Sequence, residues 1–136
     1  MTNKEKYIRL CEQEALPLHV QAWWMDAVSI GKRWDAIVIE SKEDGHILAA
    51  MPYHISQRFG IRRMLMPVHT QYNSIYLAPD APENIGQLFA KQLDQTCKNE
   101  RVLWCYLQGF YPAAIRKELL PQLGLENPQS HFVVNT

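Results

Sequence analysis

Apolar residues recur at helical spacing at both the start and the middle of this chain, and at strand spacing between. Over residues 3–14, Tyr7, Ile8, Leu10 and Cys11 form one apolar stripe, Asn3 can cap the helix, and Leu16-Pro17-Leu18 breaks it. A second helix is predicted over 22–30, with Trp23, Ala27 and Ile30 at core spacing and Gly31 as its stop. Trp34 to Glu40 is a β-branched run, and the Glu43-Asp44-Gly45 turn sends the chain back through a strand from His46 to Ile55. Alternation puts Ile47, Ala49, Met51, Tyr53 and Ile55 on one face of that strand and His46, Leu48, Ala50 and His54 on the other. Apolar residues on both faces imply an internal strand. Pro52 removes a ladder donor, so a bulge or a splay between neighbours is expected there.

A turn at Phe59-Gly60 leads to a third strand, Arg62 to Met66, then a polar stretch and a short run from Ser74 to Leu77. Pro79 and Pro82 precede the longest helix, Glu83 to Asn99, whose predicted stripe is Ile85, Leu88, Phe89, Leu93 and Cys97. Val102 to Leu107 is apolar or aromatic at nearly every position, as in a central strand. Pro112 opens a further helix that ends near Leu123-Gly124, and His131 to Asn135 is a strand by composition. Two helices, a meander and a βαβ-type alternation predict a single α/β or α+β domain over 1–136: a three-layer sandwich with a mixed, mostly antiparallel sheet and helices on both faces.

Composition narrows the function classes. With 136 residues, 47% of them hydrophobic, the chain can bury a proper core. Fourteen basic residues balance fourteen acidic ones, which argues against a sequence-independent nucleic-acid binder. The basic knot of Arg58, Arg62 and Arg63 flanks a turn and reads as a solvated hairpin end, the alternative being an anion site. Cys11, Cys97 and Cys105 lack metal spacing and the five histidines are scattered, so no zinc site is expected and reduced thiols suit a cytoplasmic protein. No run approaches the roughly 20 apolar residues of a membrane span, and the polar N-terminus has no signal-length apolar core.

The strongest candidate for chemistry is the polar segment His69, Thr70, Gln71, Tyr72 and Asn73, which follows a strand among apolar partners. His69, with a reference pKa near about 6.5, suits a general base. The alternative is that Thr70, Gln71 and Asn73 only satisfy turn backbone. If Pro52 splays two strands, Tyr53 and His54 line the opening, Tyr53 as an acid or donor; otherwise they pack across strands. Trp24, with Trp23 and Asp26, suggests an aromatic platform in which one ring faces the core and the other covers a groove.

The element order resembles the GNAT acyltransferase fold, and the local wording resembles the FemABX-like branch, in which two GNAT halves sit in tandem. Three stretches carry the likeness: Gln21-Ala22-Trp23-Trp24-Met25-Asp26-Ala27-Val28, Met51-Pro52-Tyr53-His54 and Met66-Pro67-Val68-His69-Thr70-Gln71-Tyr72, with Gly109-Phe110 a weaker fourth. Typical GNAT domains hold the CoA pyrophosphate on a glycine-rich turn at the head of the long helix. Here that position reads Asp80-Ala81-Pro82-Glu83, with carboxylates that repel phosphate and a proline that removes a donor. The partial match Gln57-Arg58-Phe59-Gly60-Ile61-Arg62 lies between two strands and reads as a hairpin turn.

The resemblance therefore implies an N-terminal half that contributes an acceptor cleft and binds no cofactor itself. An acyl-CoA or aminoacyl donor would belong to a C-terminal GNAT-like half, and an apolar strand close to Thr136 is compatible with a chain cut at a domain boundary. Two alternatives stay open. One is a self-contained acetyltransferase with an atypical cofactor site. The other is a non-catalytic interaction module that uses an exposed sheet edge and the Trp23-Trp24 region, its apolar last strand offering a homodimer paired through His131 to Asn135.

Overall fold

A capping box fixes where the first helix starts. In a computed structural model, which describes residues 1–30, 33–65, 75–108 and 131–135, helix α1 spans Asn3–Gln13. The Glu5 amide donates to Thr2 Oγ1 at 3.2 Å while the Thr2 amide donates to Glu5 Oε2 at 2.7 Å. Thr2 is thus the cap, and Asn3 is the first helical residue. Tyr7 and Leu10 are buried as expected, and the Tyr7 hydroxyl donates to the Val20 carbonyl at 2.7 Å in the 3-10 turn Leu18–Val20.

Helix α2, Ala22–Val28, buries a different stripe from the one its sequence suggests. Ala22 and Met25 face inward, whereas Trp23 is 57% and Ile30 88% exposed and Ala27 is exposed as well. The rotation is set by the 3-10 turn, which delivers the chain with Ala22 already against the sheet, and by Asp26, which accepts a 2.8 Å hydrogen bond from Trp34 Nε1.

Six strands form one mixed sheet among the described residues: β1 Arg33–Glu40, β2 Ile47–Arg58, β3 Ile61–Leu65, β4 Tyr76–Leu77, β5 Trp104–Gln108 and β6 His131–Asn135. Their order is β1-β2-β3-β5-β6, with β4 also paired to β2; β3 and β5 run parallel and the other pairs antiparallel. Strand β2 is internal, as its two apolar faces predict. A bulge at Ile39/Glu40 shifts the register so that Glu40 pairs with Ile47. Leu48 and Ala49 then both pack on one side while Ile47 joins the other, a departure from strict alternation. Beyond the bulge the faces alternate as expected through Met51, Tyr53 and Ile55.

Helices cover both faces. Tyr7, Leu10, Met25, Trp34, Ala36, Val38 and Ala50 form the core beneath α1 and α2. On the opposite face, α3 (Ile85–Asn99) packs Ile85, Phe89, Ala90, Leu93 and Cys97 against Ile37, Met51, Tyr53 and Met64. Leu88, expected in that stripe, is 37% exposed, because Gly86 and Ala90 turn toward the sheet and allow close approach. Helix α3 begins two residues later than its sequence suggests, at Ile85. The parallel β3–β5 pair requires a crossover, and α3 lies within it. The helix expected after Pro112 and the segment around Gly109-Phe110 lie outside the described residues.

Helix α3 ends in a Schellman motif without glycine. The Val102 amide donates to the Cys97 carbonyl at 2.9 Å and the Arg101 amide to the Lys98 carbonyl at 3.1 Å, with Arg101 at φ +54°. A left-handed conformation costs a side-chain-bearing residue roughly 1–2 kcal/mol, and glycine regains most of it. Arg101→Gly is therefore expected to stabilise the fold by about 0.5–1 kcal/mol, read as a rise of a few degrees in thermal unfolding midpoint; a fall would show that the guanidinium itself anchors the helix end.

Candidate functional site

Peptide groups along a strand point alternately to its two edges, and this decides what Pro52 does. The Leu48 carbonyl accepts from the Ala78 amide at 2.9 Å, so the even-numbered peptide groups of β2 face the β3/β4 edge. Pro52, lacking an N–H, is absent as a donor on that edge and leaves the β1–β2 ladder continuous, Ala36 lying opposite it. The ladder partners change at that point. Strand β3 pairs as far as His54↔Leu65, and β4 takes over at Ala50↔Tyr76. Both run antiparallel to β2, so β3 and β4 lie in line along one edge, on either side of Met51, Pro52 and Tyr53. The expected splay at Pro52 takes this form, an exchange of neighbours on one edge with no bulge on the other.

Of the candidate residues, His69, Thr70, Gln71, Tyr72 and Asn73 lie outside the described residues. Tyr53 and His54 point to opposite faces of β2, and both are buried. His54 Nε2 lies 2.7 Å from the Ser29 hydroxyl, which also donates to the Met25 carbonyl, so this imidazole ties β2 to the end of α2. Tyr53 belongs to the α3 side, where burial, with Asp35 and Glu100 adding to it, pushes its hydroxyl well above the usual phenol range. It is a neutral donor and unsuited as a base. Trp24 is half-buried and meets Trp23 edge-on at 6.1 Å between ring centres; the ring that stands out to solvent is Trp23.

Next to Tyr53 the structure assembles a charged cluster that no motif announces. Glu100, at the end of α3, receives Arg33 at 2.5 Å and Arg62 at 2.8 Å, and Arg33 also lies 3.9 Å from Asp35. The one available signal is positional: Arg33 and Asp35 occupy the β1 positions that share a face with buried Ile37. The cluster joins β1, β3 and the α3 terminus, and its two guanidiniums sit where the helix dipole is negative.

At the opposite end of the sheet, a cleft of about 430 Å³ opens between α1 and the β1–β2 hairpin. Its walls include Arg9, Glu14, Glu40, His46 and Tyr76, with Leu10 and Ile47 beneath. Lys6 pairs with Glu40 at 2.6 Å, and burial, with Glu14 beside it, raises the Tyr76 hydroxyl above the usual range. His46 is gripped between Asp44 at 2.5 Å and Asp80 at 2.7 Å. The Asp44 hydrogen bond, then the charges of Asp44 and Asp80, lift its pKa above 6.5, while His46 in turn lowers that of Asp44. His46 is a clasp joining the hairpin to the approach to α3, and the Asp80 carboxylate is engaged by it.

Among the described residues no group of three or more His, Cys, Asp or Glu side chains is placed to hold a metal ion, and no helix is long and apolar enough to cross a membrane. Cys97 and Cys105 are reduced and buried in the same core, and the hydrogen bond with the Cys97 thiol, then burial, pushes Cys105 upward. A scan against protein-family models finds no match to this chain, and a search of curated proteins finds none either.

The clasp has a defined pH signature. A histidine whose folded pKa is raised adds stability that is complete below its unfolded value and is lost as pH rises through the folded value. The His46 ring resonance should titrate above about 6.5, and Asp80→Asn should move it downward. An unchanged midpoint in Asp80→Asn would show that Asp80 takes no part.

Proposed function

We propose that this chain is the N-terminal GNAT-like half of a FemABX-like acyl- or aminoacyltransferase, forming one wall of the acceptor cleft and leaving the acyl donor to a second GNAT-like half. The observation that carries the reading is the exchange of neighbours at Pro52: β3 and β4 share one edge of β2 on either side of it, and α3 and a parallel β5 follow. The local likeness of Met51-Pro52-Tyr53-His54 falls at this exchange. Met66 to Asn73 would border the acceptor, with His69 as the candidate base and Tyr53 as a buried support.

The head of α3 supports leaving the cofactor elsewhere. Asn84 occupies the cap position without a side-chain hydrogen bond to the helix, Pro82 and Glu83 precede it, and Asp80 is turned to His46. Pyrophosphate binding requires several free amides at a helix start, and here proline and carboxylates occupy the approach. Isothermal calorimetry with acetyl-CoA is expected to give no measurable heat. Micromolar binding abolished by substitutions at Asn84 and Glu83 would overturn the reading, and turnover with an amine panel lost in His69→Ala would replace it with a self-contained acetyltransferase.

A second reading, an interaction module that pairs through its last strand, draws support from β6 standing at one end of the strand order among the described residues. Light scattering separates the two, since strand pairing through β6 requires a dimer at high concentration.

A further inference from the structure

Bulky residues rarely occupy left-handed backbone, and rarely stand fully in water. Phe59 does both. It sits at φ +53° followed by Gly60 at φ +76°, a two-residue turn of the mirror-image type that favours Asn-Gly, and its ring is 89% exposed. An asparagine there would relieve the strain and remove the exposed apolar surface, so neither folding nor solubility accounts for phenylalanine. Ile61 and Leu103, 43% and 57% exposed, stand close by, Leu103 joined to β3 through its amide and the Arg62 carbonyl at 3.0 Å.

Positive charge is in excess around this tip. Arg58 lies over the Phe59 ring at 5.2 Å, Arg63 follows on β3, and Arg101 leads out of α3 toward the same end. Among the described residues, none of these three arginines pairs with a carboxylate. The two acids of this end, Asp35 and Glu100, are engaged by Arg33 and Arg62. Five arginines thus stand against two carboxylates.

We propose that the β2–β3 hairpin tip docks on an anionic lipid bilayer, Phe59 and Ile61 entering the interfacial region while Arg58, Arg63 and Arg101 meet the headgroups. A narrow tip with a few projecting apolar side chains inside a basic collar suits a soft interface; a protein partner of ordinary size needs a broad complementary face. Nucleic acid would use the arginines but has no role for the aliphatic Ile61 and Leu103 beside them. Each arginine near an anionic surface contributes roughly fivefold in partitioning, and salt screens it. The inference is independent of the acyltransferase reading.

Vesicle flotation tests it with the full chain. Vesicles of three parts phosphatidylcholine to one part phosphatidylglycerol should carry the protein up at low salt, with release as salt is raised and little flotation on phosphatidylcholine alone. Phe59→Asn should lower partitioning at least about tenfold while raising the thermal midpoint, which separates lost docking from lost folding. Arg58→Gln with Arg63→Gln should lower it comparably. No flotation, equal flotation on neutral vesicles, or undiminished flotation in Phe59→Asn overturns the proposal. So does a dimer abolished by Phe59→Asn, which would assign the tip to a second copy of the chain, or single-stranded RNA binding that depends on the arginines but not on Phe59.

Discussion

One missing hydrogen-bond donor organises the middle of this fold. Strand β2 runs twelve residues and is covered on both faces, so along most of its length its backbone groups need partners within the sheet. Pro52 withholds an amide from only one edge, the edge facing β3 and β4. On the other edge the β1 ladder continues, holding α1 and α2 in place beneath it. The same chain position can therefore be rigid toward one neighbour and interrupted toward the next. The exchange of neighbours falls beside Met51 and Tyr53, where α3 supplies a packed floor through Phe89 and Leu93.

Much of the architecture was legible because it rests on local rules. The Phe59-Gly60 and Asp44-Gly45 turns, the strand character of Trp34–Glu40 and the length of α3 follow from glycine placement and from period, which need no knowledge of distant partners. The failures share a different cause. For α2 the choice between a Trp23 stripe and an Ala22–Met25 stripe depends on how the preceding 3-10 turn aims the helix, and both stripes have helical spacing. At the start of β2 a bulge moved Ile47 and Leu48 to the faces opposite those that alternation assigns, and a bulge leaves no mark in residue type. Leu88 lost its place to Gly86 and Ala90 because small residues let the helix approach the sheet, a benefit that hydrophobicity does not rank.

The candidate site was legible only in outline. The proline was a signal for a bulge or a splay between neighbours, and the neighbours on one edge of β2 change there. Tyr53 and His54, adjacent in sequence, were grouped as a pair, but adjacent strand residues face opposite sides, and their surroundings have little in common. His54 supports α2 through Ser29; Tyr53 borders the Arg33–Glu100–Arg62 cluster. That cluster brings residues 33, 62 and 100 together across three elements. No spacing rule reaches so far, and only the alternation of charge with apolar residues on β1 hinted at it.

Net charge proved the least faithful guide, because a sum conceals an arrangement. Helix α3 runs from the His46 end of the sheet to the Arg58 end. Its amino-terminal approach gathers Asp80 and Glu83, near Asp44, and its carboxy-terminal end lies beside Arg33, Arg62 and Arg101. Acids at the positive end of a helix and cations at its negative end are each favourable by typically about 0.3–1 kcal/mol. Helix electrostatics thus favours the same sorting that leaves a formally neutral chain with an acidic pole and a basic pole. Neutrality argues against a sequence-independent nucleic-acid binder. It does not bear on one pole, where five arginines stand against two carboxylates and the residue that departs from the turn's own preference is an exposed phenylalanine.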